Sequence, residues 1–154
     1  MIKDFMIDET GEHTGCYKLV SVEDSYENLV NFVVSPNTYF VDHVMVEIGN
    51  VVTGFYDTTV PVPFIFPPQY RAIVMALDSQ HENVEVDYFN SQLINSDNTL
   101  KLNISPHTHI VLENAQAFTH VPRNRDLIVV YSITTMSIPA QTTPSKIIVM
   151  CPHC

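Results

Sequence analysis

Apolar and polar residues alternate along most of this chain with the period of a strand, and nowhere with the period of a helix. The clearest stretch is "TLKLNI" (99–104), where Leu100, Leu102 and Ile104 face one way and Thr99, Lys101 and Asn103 the other. "NVEVDYFN" (83–90) sets Val84, Val86 and Tyr88 against Glu85, Asp87 and Phe89. "YKLVSVE" (17–23), "LVNFVV" (29–34), "YRAIVMAL" (70–77), "THIVLEN" (108–114), "RDLIVVYSITT" (125–135) and "KIIVM" (146–150) read as further strands. Residues 39–56 are rich in Val, Tyr and Phe, with Gly49 and Gly54 as points where the run turns or bends. Pro61, Pro63, Pro67 and Pro68 make 57–70 a stiff extended loop. Its Phe64 and Phe66 either plug one end of the core or meet a partner.

The pattern predicts an all-β fold of eight to ten strands, either a Greek-key barrel or a jelly-roll sandwich, with an immunoglobulin-like sandwich close behind. Residues 1–16 are polar and alternate poorly, which predicts a flexible N-terminal arm before a single domain over 17–154. The rhythm of residues 83–150, "NTLKLNI" followed by "THIVLEN" and a Val-rich strand, resembles a small oligonucleotide/oligosaccharide-binding-type barrel. That resemblance implies fold alone.

One internal echo crosses the chain. "VSPNTYFV" (34–41) and "ISPHTHIV" (104–111) share Ser, Pro, Thr and Val at matching places, and "NVVTGFY" (50–56) and "DLIVVYS" (126–132) follow them. Ser-Pro ends a strand, because the residue before proline is held out of the helical region. The echo predicts two related halves or a chance match of eight positions.

Charge narrows the functions. Seven Lys and Arg stand against seventeen Asp and Glu, a formal net charge of -10. No basic patch is present to gain from counterion release, so neither nucleic acid nor an anionic membrane is an expected partner. No run of about 18 apolar residues occurs. "MIKDFMIDETGEHTG" has no apolar run after Lys3, so a cytoplasmic location is expected, with deposition on a cell surface left open.

Candidate chemistry is sparse. "CPHC" (151–154) has the spacing of a dithiol redox motif, but an apolar strand and not a βαβ unit precedes it. Cys151 and Cys154 with His107 and His109 form a weak candidate zinc site, since structural zinc takes four Cys or His ligands. Cys16, Cys151 and Cys154 alternatively form a disulfide of unknown pairing, within the chain or between subunits. Glu82, Glu85 and Asp87 cluster on one strand without an opposing carboxylate. Four glycines leave no phosphate-cradling loop, and no nucleophile motif appears. The expectation is a non-enzymatic, cofactor-free interaction protein, a homo-oligomer or the binder of another protein. It would associate through strand edges, the Pro-rich loop and a disulfide, with Phe64, Phe66, Tyr70 and Phe89 as contact surface. The alternative is a monomeric barrel holding a small molecule, glycan or metal through the His/Cys cluster.

Overall fold

The structure, a computed structural model, describes residues 1–7 and 15–151. The chain forms two compact units, Met1–Asp78 and Ser79–Cys154. The first holds β1 (Ile2–Ile7), β2 (Lys18–Glu23), β3 (Leu29–Val34), β4 (Tyr39–Phe40), β5 (Val52–Phe55), β6 (Gln69–Arg71) and β7 (Val74–Leu77). The second holds β8 (Asn83–Phe89), β9 (Leu100–Leu102), β10 (His109–Leu112), β11 (Arg125–Tyr131), β12 (Ala140–Thr142) and β13 (Lys146–Val149). Residues 2–7, expected as arm, form a strand paired antiparallel with β2.

The all-β reading holds, but the barrel and the jelly-roll sandwich do not. Among the described residues the strands fall into four open sheets, ordered β1-β2-β3-β6, β4-β7-β5, β9-β12 and β10-β13-β11-β8, and none closes on itself. Parallel ladders join β3 to β6, β4 to β7, β9 to β12 and β10 to β13. In each unit a strand, a corner and a second strand lie in parallel register on a later strand, corner and strand. This is how successive coils of a β-solenoid stack. Antiparallel strands extend the stack: β5 on β7, and β11 on β13. Alternation reports which face a residue takes, not which strand it pairs with, so it could not separate coils from a barrel.

The two units share the plan of their parallel ladders and of the antiparallel strand on each, while among the described residues the ladders of β1 on β2, β2 on β3 and β8 on β11 each occur in one unit only. Asn31↔Gln69 and Phe32↔Tyr70 in the first become Lys101↔Gln141 and Leu102↔Thr142 in the second. Tyr39↔Val74 and Phe40↔Met75 become His109↔Lys146 and Ile110↔Ile147. Val52↔Leu77 and Phe55↔Val74 become Leu127↔Val149 and Val130↔Lys146. The echoed corners carry the same hydrogen bonds. Ser35 N–H donates to Thr38 Oγ1 (3.0 Å), and Thr38 Oγ1 donates to the Ala72 carbonyl (2.8 Å). Ser105 N–H donates to Thr108 Oγ1 (3.2 Å), and Thr108 Oγ1 donates to the Pro144 carbonyl (2.7 Å). The Ser Oγ accepts from the residue two positions on in both, Asn37 at 3.2 Å and His107 at 3.1 Å. Each threonine thus closes its own turn and ties it to the next coil.

The cores correspond as well. Phe32, Val52 and Met75 of the first unit's core match Leu102, Leu127 and Ile147 of the second's. One match is compensated. An added Cβ on Gly54 would lie 2.6–2.9 Å from three ring atoms of Phe32. The equivalent pair in the second unit, Val129 and Leu102, divides the same space between two aliphatic side chains.

Candidate functional site

The duplication exposes where the units differ: the connector from β5 to β6, and its counterpart from β11 to β12. Twelve residues separate Tyr56 from Gln69, and nine separate the equivalent Tyr131 from Gln141. Each connector includes a cis X-Pro bond, Phe66-Pro67 and Ile138-Pro139. Both carry bare apolar side chains. Phe64 and Phe66 are 108% and 87% exposed, and Met136 and Ile138 are 105% and 93% exposed. Phe64 and Phe66 therefore do not plug a core.

The shorter connector folds onto its neighbouring strand. Thr135 N–H donates to the Gln141 carbonyl (2.9 Å), and Gln141 N–H donates back to Thr135 Oγ1 (2.9 Å). Thr142 Oγ1 donates to the Ile133 carbonyl (2.7 Å). The longer connector stands off from β6 and leaves a half-open groove of about 610 Å³. Val33, Val60, Val62 and Ile73 form its apolar walls, with Tyr56, Gln69 and Arg71 as polar rim.

Local sequence explains the gap. Asp57 closes a turn at the connector's start, accepting from Thr59 N–H (2.9 Å) and Thr59 Oγ1 (2.6 Å). Those bonds, the hydroxyl's first, hold the Asp57 carboxyl below its ordinary range. Pro61 and Pro63, which line the groove, have no N–H to offer β6. Tyr56 stacks on Tyr70, ring centroids 4.1 Å apart and 18° from parallel. Desolvation, then Tyr70, raises the Tyr56 phenol above its usual range.

The candidate residues are scattered. Tyr70 is half-buried against Tyr56, beside the groove. Phe89 is fully buried in the second unit's core and is no surface residue, because β8 turns the face bearing Glu85, Asp87 and Phe89 toward Leu127 and Val129. Its neighbour Tyr88 points outward. The zinc reading is overturned: no group of three or more His, Cys, Asp or Glu able to hold a metal occurs among the described residues. His107 sits in the Ser-Pro corner and His109 opens β10, both exposed. The disulfide-locked assembly is overturned too, for Cys16 and Cys151 are exposed free thiols. Cys16 lies at a smaller apolar cavity, about 350 Å³, with Phe5, Lys18, Phe40 and Met45. Cys154 lies outside the described residues.

On β8, Asp87 accepts from Ser96 Oγ at 2.8 Å. Burial first, then Asp87 and Asp97, raises the Glu85 carboxyl above its ordinary value. No helix among the described residues is long and apolar enough to cross a membrane. No protein-family model, curated protein or solved structure matches the chain.

The groove could not have been read from sequence. Its one signal was the difference in length and proline content between two connectors, and that difference has meaning only once the units are known to be equivalent.

Proposed function

We propose that this protein is a non-catalytic tandem-repeat β scaffold that binds another protein through the apolar surface of its connectors and the groove beneath the first. The observation that supports this is the recurrence of bare apolar side chains at the same place in both repeats. Phe64 and Phe66 on one connector and Met136 and Ile138 on the other expose area that a lone protein normally covers. Charge favours a different protein over a second copy. The first unit holds eleven of the chain's seventeen carboxylates and three of its seven basic residues, a net charge of -8. A second copy brings the same charge and adds repulsion, whereas a cationic partner is steered in.

The test is affinity capture on the full chain, with each captured protein then purified and its binding measured by calorimetry. A true partner shows a negative heat-capacity change, binds more slowly as salt rises, and loses at least about tenfold in affinity to a Phe64→Ser/Phe66→Ser variant. The reading fails if no purified protein binds, or if every one binds wild type and variant alike.

A further inference from the structure

The outward edge of β6 differs from its counterpart in the second unit, although both strands face the same way. Asn31 N–H donates to the Pro68 carbonyl (2.8 Å), and Ala72 N–H donates to the Val33 carbonyl (3.1 Å). Positions 68, 70 and 72 therefore turn their backbone toward β3, and Gln69 and Arg71 turn theirs away. β6 ends its sheet, and among the described residues no strand pairs with it on that side. Among the described residues, no hydrogen bond reaches the outward backbone groups of Gln69 or Arg71. In the second unit the equivalent residue, Gln141, has both groups satisfied by Thr135 of its own connector.

We propose that the edge of β6 accepts a short extended segment of a partner protein as an added strand. The partner takes the place that Thr135 holds in the second repeat. The inference rests on the protein-binding reading above and names how the partner is held. Backbone pairing to Gln69 and Arg71 supplies register, and the walls of Val33, Val60, Val62 and Ile73 take alternate side chains. The occupant is specified by the repeat itself: Thr135 shows that a backbone N–H and a side-chain hydroxyl suit this edge. The unit's net charge of -8 favours basic residues flanking the segment. Among the described residues no backbone group of the chain's own connector bonds to Gln69 or Arg71, and Pro61 and Pro63, two of the connector residues that line the groove, have no N–H to donate.

The probe is a phage-displayed library of unstructured peptides panned on the full chain, with the most enriched peptide synthesised and its affinity measured by fluorescence anisotropy. Gln69→Pro removes the outward N–H and leaves the bonds to β3, which proline on an edge strand permits. The expected result is a loss of at least about tenfold in Gln69→Pro, with far-UV circular dichroism unchanged. Should that variant not fold, amide exchange in the wild type decides: the Gln69 and Arg71 amides slow on peptide addition. The inference is overturned if the peptide binds Gln69→Pro like wild type, or if those two amides exchange unchanged. It is also overturned if native mass spectrometry shows the free chain as a dimer with those amides already protected. A peptide sensitive to Phe64→Ser/Phe66→Ser but not to Gln69→Pro overturns this inference and leaves the recognition reading standing. If no peptide is enriched and no captured protein binds, both fall.

Discussion

Gly54 and Phe32 offer a sharp test of the duplication, because the second repeat has already solved the same packing problem with different side chains. A Cβ on Gly54 would stand 2.6, 2.7 and 2.9 Å from three atoms of the Phe32 ring. Ordinary contact begins near 3.4 Å, so the ring would have to move by most of an ångström. Phe32 is only 8% exposed and packs in the core with Ile2, Val20 and Met75, which leaves it nowhere to go. Gly54→Val alone should therefore cost at least about 1–3 kcal/mol, the usual range for overpacking. Phe32→Leu alone removes ring volume and should cost roughly 1 kcal/mol or somewhat more. Together they install the pair found at Leu102 and Val129. The double variant should then be more stable than the sum of the singles predicts by about 1–2 kcal/mol, a coupling typical of touching residues. Hydrogen exchange at β3 and β5 is the suitable assay, since it reads the first unit without assuming that both units unfold together. Additive losses would refute the proposed equivalence of the two cores, and so would a double variant worse than Gly54→Val.

Three further outcomes follow from the same geometry. Thr38→Val and Thr108→Val each remove a hydroxyl that bonds both its own corner and the next coil; each should cost about 1–2 kcal/mol by local hydrogen exchange, and clearly unequal losses would argue against matched corners. Glu85 titrates above its ordinary value, so the folded state favours its protonated form; its contribution is complete below the unfolded pKa and is lost as pH rises through the raised folded one. Glu85→Gln should accordingly melt higher than wild type near neutral pH and equally at strongly acid pH. Burial, then Glu85, also raises the Tyr131 phenol, so the same variant should bring its ionisation, followed by phenolate absorbance, to lower pH. Native protein should label at both Cys16 and Cys151 with a maleimide in the absence of denaturant, and protection of either thiol until unfolding would contradict its exposure.

Much of the local structure was legible in the sequence. Alternation at 99–104 and the lack of any helical period determined the β class, and Leu100 and Leu102 do face a core, though Ile104 does not. The shared Ser-Pro-x-Thr marked both corners, because proline's steric restriction and a hydroxyl's reach are local effects that residue identity alone specifies. Strand pairing was left to the tertiary structure. A parallel ladder such as β3 with β6 joins residues far apart in sequence, and alternation carries no address for the partner. The Tyr88–Phe89 pair shows the same limit: one of the two had to point inward, and only the position of β11 decided which. The deeper duplication was hidden for a related reason. A core constrains the summed volume of touching side chains, not each identity, so Gly54 with Phe32 and Val129 with Leu102 occupy one place without resembling each other. The groove beside β6 is where the repeats part. Connector length and Pro61 and Pro63 stood in the sequence from the start, but the free backbone of Gln69 has meaning only beside Gln141, whose partner is in place.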